Sequence, residues 1–132
     1  MKLLLDTHIF VWSALEPHRV APAVIQALDE PENELWLSPI TSWECLLLAQ
    51  RKKIQLDPDP VTWLRHNLLR LSPKEAPINH EVAIHSRTID LPHSDPADRF
   101  LAATAVVFEL TLVTADRRLI HANRCDALPS LP

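Results

Sequence analysis

The 132-residue sequence contains no glycine and no tyrosine, and it contains only two cysteines. Without glycine, the tight phosphate-binding loops of the Walker and dinucleotide-binding motifs are not expected, which argues against ATP- or NAD-dependent chemistry. The absence of tyrosine excludes a tyrosyl nucleophile. Cys45 and Cys125 are too few for a disulfide framework or a thiolate zinc site, and the apolar helical pattern around Cys45 is typical of a core residue.

Long apolar runs are also missing. The longest, LLL from residue 3 and CLLLA at 45–49, are far shorter than the roughly 20 residues that a membrane-spanning helix needs. Asp6 interrupts the N-terminal apolar run, so the pattern of a secretory signal peptide is not found and a cytoplasmic location is expected. The formal net charge of −4 argues against a broad basic nucleic-acid surface, unless carboxylates are gathered around bound cations.

The pattern of short apolar segments indicates the fold class. Length and composition predict one globular domain over residues 1–132. Strand-like segments KLLLD, ELWLS and ELTLVTAD alternate with helical patterns, which predicts an α/β fold with a central parallel sheet flanked by helices. The C-terminal NRCDALPSLP has no clear strand pattern, so the sequence does not predict whether a strand forms the last edge of the sheet.

Two helix starts contain acidic residues. Thr41-Ser42-Trp43-Glu44 matches a capping box, which predicts a helix that begins there with Glu44 in its first turn. Ser94-Asp95-Pro96 offers a cap and a first-turn proline for a buried helix that contains Asp98 early. Further helices are predicted at 8–15, 21–29, 61–71, 79–88 and in DRRLIHA from residue 116.

Four acids are expected to meet at one edge of the sheet. Asp6 and Asp116 each end a predicted strand, and Glu44 and Asp98 each begin a helix, so all of them belong at the carboxyl edge where open parallel sheets bind ligands. Each acid alone is also explained as a helix cap or a first-turn acid. However, Glu44 and Asp98 share helix faces with apolar side chains, and buried carboxylates require partners. A divalent cation with oxygen ligands, Mg²⁺ or Mn²⁺, resolves that conflict.

Four segments resemble the VapC-type toxins of the PIN-domain ribonucleases in order and spacing: LLLDTHIFVW, TSWECLLL, LPHSDPADRFLAATA and TLVTADRRL. The resemblance extends from Met1 to about Leu119, and DPADRFLAATA combined with LLLDT is its most specific part. It implies a PIN-like three-layer fold and a metal-dependent endoribonuclease that uses Mg²⁺ or Mn²⁺. It also implies a cognate antitoxin and a homodimer.

Carried over position by position, the resemblance implies that the catalytic and metal-binding acids are Asp6, Glu44, Asp98 and Asp116. Asp98 is chosen over Asp95 because the family's third acid lies four residues before paired alanines, as Asp98 does here. Asp95 then becomes a helix cap or a supporting residue. Thr7 and Thr114 match supporting positions whose hydroxyls orient carboxylates or metal-bound water.

Basic side chains near these acids are candidate contacts for RNA phosphates. Arg99 and Arg117 are preferred because each adjoins a proposed ligand, whereas Arg51, Lys52, Lys53 and Arg118 more simply form solvated helix ends. His93, beside the acidic turn, is interpreted as structural. One departure from the family concerns residue 52, where a glycine is common and this chain has lysine, so the end of that helix is expected to differ in shape.

Other functions compete with this interpretation. A dehalogenase-like phosphatase needs a second aspartate where this chain has His8, and a phosphoacceptor receiver needs a late lysine, whereas no lysine follows Lys74. Two alternatives remain. One is a structure-specific DNA nuclease of the same superfamily, and the other is a catalytically silent binding module whose acids only cap helices.

Overall fold

The structure is a computed structural model that describes residues 1–131. Its strands are β1 (Lys2–Leu5), β2 (Glu34–Leu37), β3 (Lys74–Glu75), β4 (Thr111–Thr114) and β5 (Ala127–Pro129). Its helices are α1 (Thr7–Leu15), α2 (Pro22–Asp29), α3 (Pro39–Gln50), α4 (Pro60–Leu71), α5 (His80–Thr88), α6 (Pro96–Val107) and α7 (Arg117–Ala122), and a short 3-10 turn spans Pro17–Arg19. The strands form one sheet in the order β3-β2-β1-β4-β5, with every neighbouring pair parallel.

The central strand shows why helices cover both faces of the sheet. Leu3 and Leu5 belong to a core cluster that includes residues of α1 to α4, whereas Leu4 belongs to a second cluster with residues of α6 and α7. Successive side chains of a strand point to opposite faces, so a continuous apolar run requires packing on both sides. The predicted three-layer α/β fold with a central parallel sheet is confirmed.

The order of the strands creates a switch point beside β1. From β1 the chain first builds outward through β2 and β3, and it then returns to place β4 on the other side of β1. In the register of this pair, Leu5 lies opposite Val113, and the Asp6 N–H donates to the Val113 carbonyl at 3.1 Å. The carboxyl ends of β1 and β4 therefore open side by side, which is where open α/β sheets bind their ligands.

The start of α3 differs from the expectation. Ser38 caps this helix by accepting a hydrogen bond from the Ile40 N–H at 3.1 Å, and Pro39 is the first helical residue. The capping box predicted at Thr41 is therefore wrong, and Glu44 lies in the second turn rather than in the first. A serine followed by proline is the stronger start signal because proline has no N–H to leave unsatisfied at that position.

Several helix ends use the left-handed backbone region without glycine. Lys52, Ser72, Glu109 and Asn123 all have φ between 46° and 58°. Lys52 follows α3, so lysine adopts there the conformation for which glycine is usual. Among residues 1–131, no helix combines the length and the apolar character needed to cross a membrane.

Candidate metal centre

One cleft contains all four acids proposed from the sequence. It has a volume of about 340 Å³ and lies at the carboxyl ends of β1 and β4. Its lining consists of Asp6, His8, Trp12, Glu44, Asp95, Asp98, Ala115, Asp116 and Arg118. The acid cleft, as we call this space, thus brings together side chains from the beginning, the middle and the end of the chain.

Asp6 is the most buried of the four acids, with 7% of its surface exposed. Its Oδ1 caps α1 by accepting from the His8 N–H at 2.8 Å, and its Oδ2 accepts from the Thr114 hydroxyl at 2.6 Å. Burial raises the pKa of Asp6, and these two hydrogen bonds only partly oppose that rise. Asp6 therefore has a fixed orientation and an electrostatically costly charge.

Asp116 is held by a different set of donors. Its Oδ1 caps α7 by accepting from the Arg118 N–H at 2.9 Å, and its Oδ2 lies 3.0 Å from Nε2 of His93. Although burial raises the pKa of Asp116, the hydrogen bonds from His93 and Arg118 outweigh burial and lower the pKa below its ordinary value. The Asp116 N–H also donates to the Thr114 hydroxyl at 3.0 Å, so Thr114 bridges Asp6 and Asp116.

Asp98 carries the least compensated charge in the cleft. It is the third residue of α6, behind Asp95, which caps the helix by accepting from the Ala97 N–H at 3.0 Å. Burial, and then repulsion from the carboxylates of Asp95, Asp6, Asp116 and Glu44, raises the pKa of Asp98 to about 7. The metal-free cleft therefore holds a proton on Asp98 below neutral pH.

Glu44 enters the cleft from α3. Burial raises its pKa, and a hydrogen bond from the Thr7 hydroxyl partly opposes this rise. The Thr7 hydroxyl donates to Oγ1 of Thr41 at 3.4 Å, which is long for an O–H···O bond. Its influence on Glu44 is therefore weaker than that of Thr114 on Asp6, to which Thr114 donates at 2.6 Å.

The donor set and its electrostatics fit a divalent cation. Carboxylate oxygens are the ligands that Mg²⁺ and Mn²⁺ prefer, and clustered acids with raised pKa values gain most from a bound cation. Ligand atoms of Asp98, Asp116 and His93 lie within 4.8 Å of one another. Helix capping explains one oxygen each of Asp6 and Asp116, but the caps of α3 and α6 are Ser38 and Asp95. Capping therefore does not explain Glu44 or Asp98.

Comparisons with known proteins identify the family of this chain. The family model described as the PIN domain matches residues 3–124. The chain belongs to the PIN-domain family. It is 35% identical over 120 residues to Ribonuclease VapC22 of Mycobacterium tuberculosis, covering 89% of this chain and 88% of that one. The resemblance to VapC-type members is thereby confirmed.

Solved structures show the same fold. A chain in the crystal structure of DNA-bound VapBC from Salmonella typhimurium is 18% identical, with a TM-score of 0.73 and 98% of both chains covered. A chain of VapBC2 from Rickettsia felis, bound to a promoter DNA fragment, is 16% identical, with a TM-score of 0.70 and coverage of 98% of this chain and 99% of that one. At these identities the two structures support the PIN fold alone.

In this PIN domain, the interpretation of Arg99 as a phosphate contact needs correction. Its guanidinium donates to four backbone carbonyls, those of Ser86 at 2.7 Å, Ile89 at 2.6 Å, Leu91 at 3.2 Å and His93 at 3.0 Å. Most of its donors are therefore engaged within the protein. Adjacency to Asp98 in the sequence was misleading because successive residues of a helix point in different directions.

The other predicted basic residue lies beside the acid cleft. Arg117 is exposed and lines a neighbouring cleft of about 570 Å³ that shares Trp12 and Ala115 with the acid cleft. Arg118 lines the acid cleft itself, where its Nη2 lies 3.4 Å from Oδ2 of Asp116. The sequence favours Arg117 as the phosphate contact, but it is Arg118, whose N–H donates to the capping Asp116, that lines the cleft with the acids.

His93 has a role in the PIN domain that the sequence did not reveal. Its side chain is fully buried and contacts Asp116, which lies 23 residues later in the chain. No local pattern links the two residues, because the contact depends on how the α5–α6 loop lies against the end of β4. The cysteines, by contrast, are inert as expected, since burial raises the pKa of Cys45 to about 12 and that of Cys125 to about 11.

Proposed function

We propose that this chain is the toxin of a toxin–antitoxin pair, an endoribonuclease that hydrolyses RNA with Mg²⁺ or Mn²⁺ held by Asp6, Glu44, Asp98 and Asp116. The observation that carries the proposal is the convergence of these carboxylates in one cleft at the switch point of a PIN fold. The identity of 35% to Ribonuclease VapC22 supports RNA as the substrate.

The chain's own residues divide the work of the site. Asp6 and Asp116 have both carboxylate oxygens hydrogen-bonded and are held in fixed orientations. Asp98 and Glu44 carry raised pKa values and complete the negative site from the helices α6 and α3. A bound divalent ion would supply an activated water and neutralise charge on the scissile phosphate. Binding at neutral pH requires Asp98 to release its proton.

Substrate contacts are proposed for the basic side chains that border the acids. Arg118 lies at the acid cleft and Arg117 in the adjoining one, so both can meet phosphates on either side of the scissile bond. Arg19, which lies over the Trp12 ring at 4.2 Å and pairs with Glu16 at 3.3 Å, adds a partly neutralised positive charge to the adjoining cleft. These charges offset repulsion between the RNA and a chain of net charge −4.

Cleavage of total RNA with Mn²⁺ tests the catalytic proposal. We expect Asp6→Asn and Asp98→Asn to lose about 100-fold or more in rate, because each removes a charged ligand. Asp59→Asn is a matched control, since Asp59 caps α4 by accepting from the Thr62 N–H at 2.9 Å and does not line the acid cleft. Full activity in either cleft variant would refute the assignment, and preferential cleavage of DNA would indicate the DNA nuclease instead.

The partner proposal rests on the structural neighbours. Both chains compared above come from VapBC complexes, and a further similar structure belongs to the VapBC family of toxin-antitoxin systems, so an antitoxin protein is the partner proposed here. In this proposal the protein acts in the cytoplasm on cellular RNA until the antitoxin binds it. Co-purification with the protein encoded by the neighbouring gene tests this pairing, and an isolated chain that binds no such protein contradicts it.

A further inference from the structure

The loop between α5 and α6 connects one buried imidazole to the acid cleft. His93 is 3% exposed, and its Nε2 lies 3.0 Å from Oδ2 of Asp116. An ionised carboxylate only accepts hydrogen bonds, so Nε2 carries the proton and donates it. Nδ1 of His93 is buried and has no hydrogen-bond partner within residues 1–131. Within these residues, the imidazole therefore makes one hydrogen bond, from Nε2 to Asp116.

Arg99 holds the backbone of the same loop. Its guanidinium donates hydrogen bonds to the carbonyls of Ser86, Ile89 and Leu91, and also to that of His93 itself at 3.0 Å. A planar guanidinium can serve several carbonyls at once because its donors have a fixed fork geometry. The segment 89–95 has no helix or strand of its own, so Arg99 supplies hydrogen bonds to loop carbonyls that lack the regular pairing of a helix or a sheet.

We propose that Arg99 and His93 form one positioning unit that orients the Asp116 carboxylate toward Asp98 for metal binding. Arg99 fixes the loop, the loop fixes the imidazole, and the imidazole fixes Oδ2 of Asp116. The inference rests on the proposed function, because it assigns these two residues a part in the same metal site. Neither is a catalytic residue in this account, since each acts through Asp116.

The geometry of Asp116 shows what the unit contributes. Oδ1 accepts a hydrogen bond from the Arg118 N–H. With this bond alone, the Asp116 carboxylate could still rotate about it. The bond from His93 to Oδ2 at 3.0 Å, which is shorter than the 3.4 Å contact from Nη2 of Arg118, is the stronger restraint on this rotation, and the ligand atoms of Asp116 and Asp98 lie within 4.8 Å of each other. Groups that orient metal ligands in this way change metal affinity by about 10- to 100-fold when they are replaced.

Calorimetric binding of Mn²⁺ to His93 variants tests the imidazole. We expect His93→Ala and His93→Asn to bind Mn²⁺ about 10- to 100-fold more weakly, because neither places an N–H at the position of Nε2. His93→Gln should stay within about threefold of the original chain, since its longer amide reaches that position. His66→Ala, at an exposed position of α4, is the matched control and should bind normally.

Arg99→Lys tests the other half of the unit. Lysine keeps the charge but cannot serve four carbonyls, so we expect Mn²⁺ affinity to fall by about as much as in His93→Ala. Because both residues act on the same carboxylate, the double variant should bind no more weakly than the weaker single variant. Arg65→Lys on α4 is the control for the substitution itself.

General destabilisation gives a different result. Asn67→Ala removes a buried hydrogen bond to the Trp63 carbonyl in α4, away from the cleft, and should lower the Tm without changing Mn²⁺ affinity.

RNA cleavage by His93→Ala should be slow at limiting Mn²⁺ and should recover at saturating Mn²⁺. In metal-free protein, NMR should show one ring N–H of a histidine protected from exchange and lost in His93→Gln.

Three outcomes would overturn the inference, and one of them separates it from the proposed function. Normal Mn²⁺ affinity in His93→Ala, with binding and cleavage intact in the original chain, refutes the positioning unit alone. Equal losses in His93→Gln and His93→Ala indicate that the imidazole is itself a ligand, which also refutes it. If the original chain neither binds Mn²⁺ nor cleaves RNA, the proposed function fails and the inference fails with it.

Discussion

The convergence of acids makes Asp98 harder to ionise. Its pKa is raised from 3.8 to about 7, first by burial and then by neighbouring carboxylates. Below pH 3.8 the folded and the unfolded chain both keep the proton, so Asp98 does not disfavour folding. As the pH rises to about 7 the unfolded chain ionises first, and stability falls until the folded pKa is passed. Metal-free protein is therefore destabilised by Asp98 at neutral and alkaline pH.

Replacing Asp98 with asparagine should relieve this penalty. In EDTA at pH 8, we expect Asp98→Asn to be more stable by about 1 to 2 kcal/mol, a value discounted for the partial solvent access of the group. This corresponds to a rise of roughly 3 to 8 °C in Tm. Near pH 4 the original protein and Asp98→Asn should have the same Tm, because neither carries a charge at this position in the folded state.

Thermal melts at both pH values, with and without Mn²⁺, measure this effect. Added Mn²⁺ at pH 8 should stabilise the original chain more than Asp98→Asn, because the variant has lost a ligand. Asp59→Asn, which changes an exposed cap on α4, is the control and should not gain stability at pH 8. A variant that is less stable than the original chain in EDTA at pH 8 would contradict the raised pKa.

Thr114 is the second residue whose role follows from its bonds. Thr114→Val keeps the shape but removes the donor to Asp6 and the acceptor for the Asp116 N–H. We expect a loss of about 1 to 3 kcal/mol in unfolding free energy and about tenfold in Mn²⁺ affinity. Thr104→Val is the matched control, since that hydroxyl bonds to the Phe100 carbonyl within its own helix. Unchanged Mn²⁺ affinity in Thr114→Val would show that the bridge does not orient the acids.

At the scale of elements, the strongly apolar strands were predictable and the edge strands were not. KLLL and TLVT have runs of buried side chains, so the hydrophobic pattern alone identifies them. Lys74–Glu75 and Ala127–Pro129 carry no such pattern, because an edge strand is specified by the neighbour with which it pairs.

The candidate site was predictable for a related reason. Asp6 and Asp116 follow strands whose carboxyl ends must share one edge, so their meeting follows from topology. Glu44 lines the same cleft as the other acids, but it lies in the second turn of α3 and not in the first, because Ser38-Pro39 starts the helix ahead of the apparent capping box. The contacts of Arg99 and His93 could not be predicted, since they depend on the path of a loop without a periodic pattern.

The end of α3 offers a prediction about glycine. Lys52 has φ of 58° and is exposed. Its Cβ therefore strains the backbone, and its side chain gains no stabilisation from burial. We expect Lys52→Gly to raise the unfolding free energy by about 0.5 to 1 kcal/mol, because a left-handed backbone costs a non-glycine residue about 1 to 2 kcal/mol and glycine entropy offsets part of the gain. Lys53→Gly removes the same charge without that relief and should not stabilise the protein. Urea unfolding of both variants decides between them.

At the scale of the whole molecule, one sheet and its strand order connect distant parts of the sequence. Successive acids are 38, 54 and 18 residues apart in the sequence, yet they share one cleft. The cleft therefore exists only when β1, α3, α6 and β4 are all in place. Metal binding is consequently expected to report on global folding, whereas a local peptide from any one segment has too few ligands to bind well.

The outer surface gives the last prediction, which concerns association. Trp43 on α3, Leu69 on α4 and Ile84 on α5 are 53%, 82% and 55% exposed, and the homodimer that the family resemblance implies would bury apolar side chains of this kind. We expect the purified protein to have twice the chain mass of 15.0 kDa in light scattering, and to form a larger complex when produced with the proposed antitoxin. Measuring Asp98→Asn in EDTA controls for association through metal bridges. A single-chain mass over a wide range of concentrations, with no complex on co-production, would contradict both the homodimer and the partner.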